Sequence, residues 1–247
     1  MPVTQPPYPP LFDAFDRIRI MNLAHRTDRR REMIEQLRRV GMADHPRVAF
    51  FDALKADEPG LFTSKGMHGN FRTYRAVIAE AAAAGESILV LEDDCDFLLP
   101  EIFDYRLTEP WDVFYGGYDA SDPDDLPGSD IIGAHFMGFS REGARIAADY
   151  MTRYLKADFV PDAKAAADPR FDPAIRPPSD GCFVWLRRAH PELRTVFAML
   201  GVQRPSRTDT GTQKLYDRLP LVRTAAGWLR RVRAALNPSK EWTARRG

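Results

Sequence analysis

Apolar and polar residues alternate over residues 17–23, as in a strand entering a core. Over residues 28–40 the spacing becomes helical, with Met33, Ile34, Leu37 and Val40 on one face and Gly41 as a stop. Residues 48–51 predict a second short strand, 59–69 a loop, and 71–84 a helix ended by Gly85. Residues 87–91 form an apolar run, the pattern of a strand buried on both faces. A helical turn is predicted over 100–105 and strands over 113–115 and 134–139. Residues 142–155 predict a helix and 183–186 a last short strand. Residues 120–129 and 158–179 are rich in Asp and Pro and read as a mobile loop and an irregular stretch.

Alternating strands and helices define an α/β class, a single domain with a mixed, mostly parallel sheet flanked by helices. Residues 1–16 read as an extended, proline-rich lead-in, 17–210 as the domain, and 211–247 as a basic tail. Within the tail, residues 221–236 place Trp228, Leu229, Val232 and Leu236 on one helical face, with Arg223, Arg230, Arg231 and Arg233 around the rest. That pattern suits a basic amphipathic C-terminal helix, packed on the domain or lying peripherally on an anionic membrane surface.

The 247 residues carry 35 basic and 35 acidic side chains, so no global field draws the chain to nucleic acid. The two cysteines, Cys95 and Cys182, are too few for a disulfide framework or a zinc site, which favours a reduced, cytoplasmic setting. The first ten residues lack the apolar core of a signal peptide, and no apolar run is long enough to span a bilayer.

Candidate chemistry starts where the apolar run ends, at Glu92-Asp93-Asp94-Cys95-Asp96. Ligands of open α/β sheets bind beyond the carboxyl ends of strands. Clustered carboxylates there repel one another unless a cation lies among them. One or two carboxylates plus substrate phosphates are a usual way to hold Mg²⁺ or Mn²⁺. In an extended chain, Glu92, Asp94 and Asp96 would point one way and Asp93 the other. Two ligand pairs are open, Glu92/Asp94 and Asp94/Asp96. A second strand end, at Asn22 and Leu23, runs into a helix start carrying Arg26, Asp28 and Arg29. Helix N-termini and arginines both suit phosphate.

Together these segments resemble glycosyltransferase family 25, the lipopolysaccharide and collagen galactosyltransferase group. Its opening pattern, Ile-Asn-Leu-x-x-Arg-x-Asp-Arg, stands here as Met21-Asn22-Leu23-Ala24-His25-Arg26-Thr27-Asp28-Arg29. Its Ile-Leu-x-Leu-Glu-Asp-Asp stands as Ile88-Leu89-Val90-Leu91-Glu92-Asp93-Asp94. Fainter similarity continues through Ser140-Arg141-Glu142-Gly143-Ala144, Asp180, Gln203 and Thr208-Asp209. The family's Gly-Cys…Ser-His has no counterpart in Gly66-Met67-His68-Gly69-Asn70-Phe71-Arg72-Thr73, where His68 stands out of step.

The resemblance implies a GT-A-like fold, a UDP-sugar donor, a Mn²⁺ or Mg²⁺ cofactor and inversion at the anomeric carbon. It leads us to expect a hexosyltransferase acting on a glycan or glycolipid acceptor of lipopolysaccharide type. Asn22, Leu23, Arg26, Arg29, Asp93 and Asp209 would contact the donor; Glu92, Asp94 and Asp96 would supply the metal ligands. Inversion needs a base for the acceptor hydroxyl, and Asp180 is the candidate. His135 and His190 are further metal candidates, each weighed against an ordinary packing or turn role. The missing Ser-His pair motivates an alternative, a catalytically inactive glycosyltransferase-like scaffold. A nucleotidyltransferase, which uses similar carboxylates, is a third reading.

Overall fold

The computed structural model describes residues 8–161, 163–167, 172 and 174–204. In the segment expected as an extended lead-in, Pro10–Ala14 form a 3-10 helix, and Leu11, Phe12 and Phe15 are buried. Then come β1 (Arg17–Asn22), α1 (Thr27–Arg39), β2 (Val48–Asp52), α2 (Lys65–Ala84), β3 (Ile88–Glu92) and β4 (Cys95–Phe97). They are followed by α3 (Glu101–Asp104), β5 (Val113–Ala120), β6 (Ile131–Phe139) and α4 (Arg141–Tyr154). The last elements are α5 (Ala163–Ala167), α6 (Ser179–Ala189), β7 (Thr195–Phe197) and β8 (Gly201–Gln203).

Six strands form one sheet in the order β2-β1-β3-β6-β5-β7. Neighbours β1/β2, β1/β3 and β5/β7 are parallel, and β6 runs antiparallel to both β3 and β5. Five strands therefore share one direction, giving the mixed, mostly parallel α/β sheet expected from the sequence. β4 and β8 pair antiparallel as a separate ribbon.

Side-chain alternation along the strands builds two cores. On one face Ile88, Val90, Val113, Tyr115, Met137 and Phe139 pack with α2, α4 and α6. On the other, Ile18, Ile20, Leu89, Leu91, Phe114 and Phe136 pack with α1, the 3-10 helix and the ribbon. The apolar run of β3 serves both faces, and its four residues from Ile88 to Leu91 are fully buried.

Several elements differ from the sequence expectation. Residues 183–186, expected as a strand, lie inside α6. A five-residue apolar block, Cys182 to Leu186, is too short to show its period, and here the helix is buried nearly all round between the sheet and its neighbours. α2 starts at Lys65, capped by the Ser64 hydroxyl, which accepts from the Met67 N–H at 3.1 Å. Gly85, at φ +66°, closes it as expected. The pair Gly116-Gly117 continues β5 instead of ending it. The proposed C-terminal helix over 221–236 and the boundary near residue 210 lie outside the described residues.

Candidate active site

Parallel pairing brings the carboxyl ends of β2, β1 and β3 side by side, with Asn22 opposite Asp52 and Met21 opposite Glu92. The chain turns at Asp93-Asp94 before entering β4, so the strict alternation expected for the acids stops at Glu92. The physical reason is the ribbon: Cys95 pairs with Gln203 and Phe97 with Gly201, which pulls the chain out of the main sheet.

Each acid then meets different partners. Asp93 accepts from buried Asn22 Nδ2 at 2.7 Å and from Arg29 Nη1 at 2.9 Å. Arg29, in the first turn of α1, also lies 3.3 Å from Asp94 Oδ2. Asp94 Oδ1 is buried without a hydrogen-bond partner. Asp96 is gripped by Arg204, whose Nε and Nη2 lie 3.1 and 2.5 Å from its Oδ1. Arg204 also pairs with Glu32 and donates its backbone N–H to Asp94 O. Glu92 Oε1 lies 3.3 Å from Asn70 Nδ2 and 3.1 Å from the Tyr74 hydroxyl, and Gln203 Nε2 donates to its Oε2 at 3.4 Å.

Burial, with repulsion from Asp94 and Asp180, pushes the Glu92 carboxyl up to about 8. Burial pushes Asp94 up to about 6, with Arg29 opposing the rise. The Tyr74 hydroxyl lies 2.7 Å from Ala134 O, a group that can only accept. Its single proton serves one neighbour at a time, so a Tyr74 that donates to Ala134 favours a protonated Glu92.

The structure therefore brings Asn22, Arg29, Asp93, Asp94, Glu92 and Asp96 into one acidic cluster. Leu23 lies in the adjoining turn and accepts from the Arg26 N–H. The Arg26 guanidinium turns to Asp28 and holds that carboxyl well below its ordinary value. Asp180 sits in the first turn of α6, not in a loop before a strand, and accepts from Ala134 N–H at 3.1 Å. Burial raises its carboxyl, while the backbone N–H groups of Gly133 and Ala134 counter the shift. Asp209 lies outside the described residues.

The other sequence candidates go elsewhere. His135 packs at the Gly201 carbonyl, and His190 pairs with Glu192. His68 meets Glu58 O and stacks on Phe62. Trp185 and Tyr115, aromatics of a kind that can stack on a sugar or base, are core residues, and both cysteines are buried. Sequence reasoning missed Asn70, Tyr74, Ser179 and Arg204. Asn70 and Tyr74 left one signal: two polar residues four apart on a helix face otherwise filled by Val77, Ile78 and Ala81.

Among the described residues no three His, Cys, Asp or Glu side chains converge as a metal centre. Asp96 is taken by Arg204, which breaks the Asp94/Asp96 pair. Glu92 and Asp94 remain, raised by burial and with one orphaned buried oxygen between them. These two fit a cation whose remaining ligands come from phosphates. A charged cleft of about 450 Å³ lies at the opposite end of the strands, but Asp112 pairs there with Arg194, Glu142 with Arg145 and His190 with Glu192.

No protein-family model and no curated protein matches the chain. Among solved structures, it is similar to a glycosyltransferase involved in the glycosylation of the major capsid of PBCV-1. That match has 13% identity and a TM-score of 0.42, and covers 76% of this chain and 93% of that one. Mouse xyloside xylosyltransferase 1, apo form, is similar at 14% identity and a TM-score of 0.39, over 74% and 84% of the two chains. Among the described residues no helix is long and apolar enough to cross a membrane.

Proposed function

We propose that this chain is a glycosyltransferase that moves a sugar from a UDP-sugar to a glycan or glycolipid acceptor, with inversion at the anomeric carbon. One observation carries the reading. At the carboxyl ends of parallel strands and the turn beyond them, Glu92, Asp93, Asp94 and Asp96 lie together, with Arg29 paired to Asp93 and Asp94 and Arg204 to Asp96. Asp94 Oδ1 is left buried without a hydrogen-bond partner, and carboxylates clustered in this way repel one another unless a cation lies among them. Glu92 and Asp94 would hold Mn²⁺ or Mg²⁺, which as a Lewis acid supplies charge stabilisation for a departing diphosphate.

The chain's own groups do the rest. Arg29, held by Asp93 against the start of α1, lies where a helix N-terminus and a guanidinium both favour phosphate. Asp180 takes the proton of the acceptor hydroxyl while that oxygen bonds to the anomeric carbon and the bond to the diphosphate breaks, its electron pair leaving with the diphosphate. A raised Asp180 pKa suits a base that must hold a proton after transfer.

Calorimetry with UDP, with and without Mn²⁺, tests the reading. We expect binding that is stronger with the ion; no UDP binding under either condition would sink it. Slow hydrolysis of a UDP-sugar without acceptor separates a catalyst from an inactive scaffold. Preference for a nucleoside triphosphate would point instead to nucleotidyl transfer.

A further inference from the structure

Glu92 and Asp180 belong to different elements 88 positions apart in the chain, yet a ring of short polar contacts joins them. Ser179, the first residue of α6, is 2% exposed and donates its hydroxyl proton to Asn70 Oδ1 at 2.6 Å. With its oxygen taken, the Asn70 amide must present Nδ2 to the other side, where it meets Glu92 Oε1 at 3.3 Å. Glu92 Oε1 meets the Tyr74 hydroxyl at 3.1 Å, and that hydroxyl reaches Ala134 O at 2.7 Å. The N–H of the same Ala134 donates to Asp180, the residue next to Ser179. The ring ends where it began.

Its arms are anchored from outside. The Thr73 hydroxyl donates to Gly69 O at 2.8 Å and accepts from the Leu54 N–H at 2.9 Å, pinning the first turns of α2. Gly69 presses against Leu54, and a Cβ there would stand 2.6 Å from the Leu54 carbonyl oxygen. Asn70 is therefore a fixed arm, not a swinging surface amide.

We propose that Asn70 and Ser179 are positioning residues that hold the acceptor-side carboxylate, Asp180, at a set distance from the donor-side carboxylate, Glu92. The assignment rests on the glycosyltransferase reading above. Asn70 ties α2 to α6 across the site. Breaking either bond leaves both carboxylates present but frees α6 to move relative to β3. Misplacement on the scale of 1 Å costs about 100-fold in rate when reacting groups must be aligned.

The test uses the full chain with Ser179→Ala, Asn70→Ala and the double variant. UDP binding with Mn²⁺ is measured by calorimetry, and turnover of a UDP-sugar by release of UDP. We expect kcat to fall about 10- to 100-fold in each single variant while donor KM and UDP affinity stay within about threefold. The double variant should lose no more than the worse single one, because both changes open the same ring. Should Ser179→Ala fail to fold, Asn70→Ala, at a half-buried position, answers alone. Unchanged kcat in an active protein overturns the positioning role and leaves the glycosyltransferase reading standing, as do additive losses in the double variant. A wild-type chain that neither binds UDP nor turns over overturns both.

Discussion

At the scale of single residues, the acidic turn works because its charges are unequally shared. Arg29 faces both Asp93 and Asp94, and none of the three side chains is more than 12% exposed. Removing one partner of such a buried group leaves an uncompensated charge. We expect Arg29→Ala to destabilise the protein by about 3–5 kcal/mol, read from urea unfolding. Asp94→Ala removes the only carboxylate of the turn with an orphaned oxygen. Its expected outcome is loss of Mn²⁺-dependent transfer in a folded protein, and retained metal-dependent turnover would defeat the ligand assignment. The residue types of this turn were legible in the sequence; their pairing was not. Nothing in the chain order says that the Asp96 carboxylate answers to Arg204, 108 positions away, while that of Asp94 meets Arg29.

At the scale of elements, two contacts lock helices and strands into the frame behind the site. The first is the tight fit of α2 on the segment after β2. Gly69→Ala would drive a Cβ into the Leu54 carbonyl oxygen, so we expect a loss of about 1–3 kcal/mol, seen as a lower thermal midpoint. Asn70 would shift with the backbone, and turnover should fall further than stability alone explains.

The second is Asp112, which ties the start of β5 to the start of β7. It accepts from the Arg194 backbone N–H at 3.0 Å and from Arg194 Nε at 2.8 Å. The Arg194 hydrogen bonds hold the Asp112 carboxyl below its ordinary value of 3.8. A depressed folded value means that the contribution is complete above 3.8 and is lost as the pH falls below it, through the folded value. Arg194 is more than half exposed, so solvent screens the pair and keeps its contribution small. In Asp112→Asn, acid unfolding below pH 3.8 should lose part of its pH dependence. An identical acid transition in variant and wild type would show that the pair contributes nothing.

At the scale of the whole molecule, one tail prediction stands on the sequence alone. If the basic, amphipathic stretch over 221–236 docks on anionic lipid, deleting it should abolish co-sedimentation with phosphatidylserine vesicles at low salt. Unchanged co-sedimentation would remove the membrane role.

The sequence by itself determined the layered α/β class, the doubly buried β3 and the two strand ends that carry Asn22 and the acids. Those features depend on local periodicity, and residues 88–91 show it without help from the rest of the chain. Only the tertiary structure decided that 183–186 belong to a helix, because a short apolar block carries no period until its surroundings are known. Only the tertiary structure joined Ser179 and Asn70 to Glu92 and set Arg204 on Asp96. Hydrogen bonds and ion pairs depend on distances of a few ångströms between groups far apart in the chain, and folding, not spacing, sets those distances.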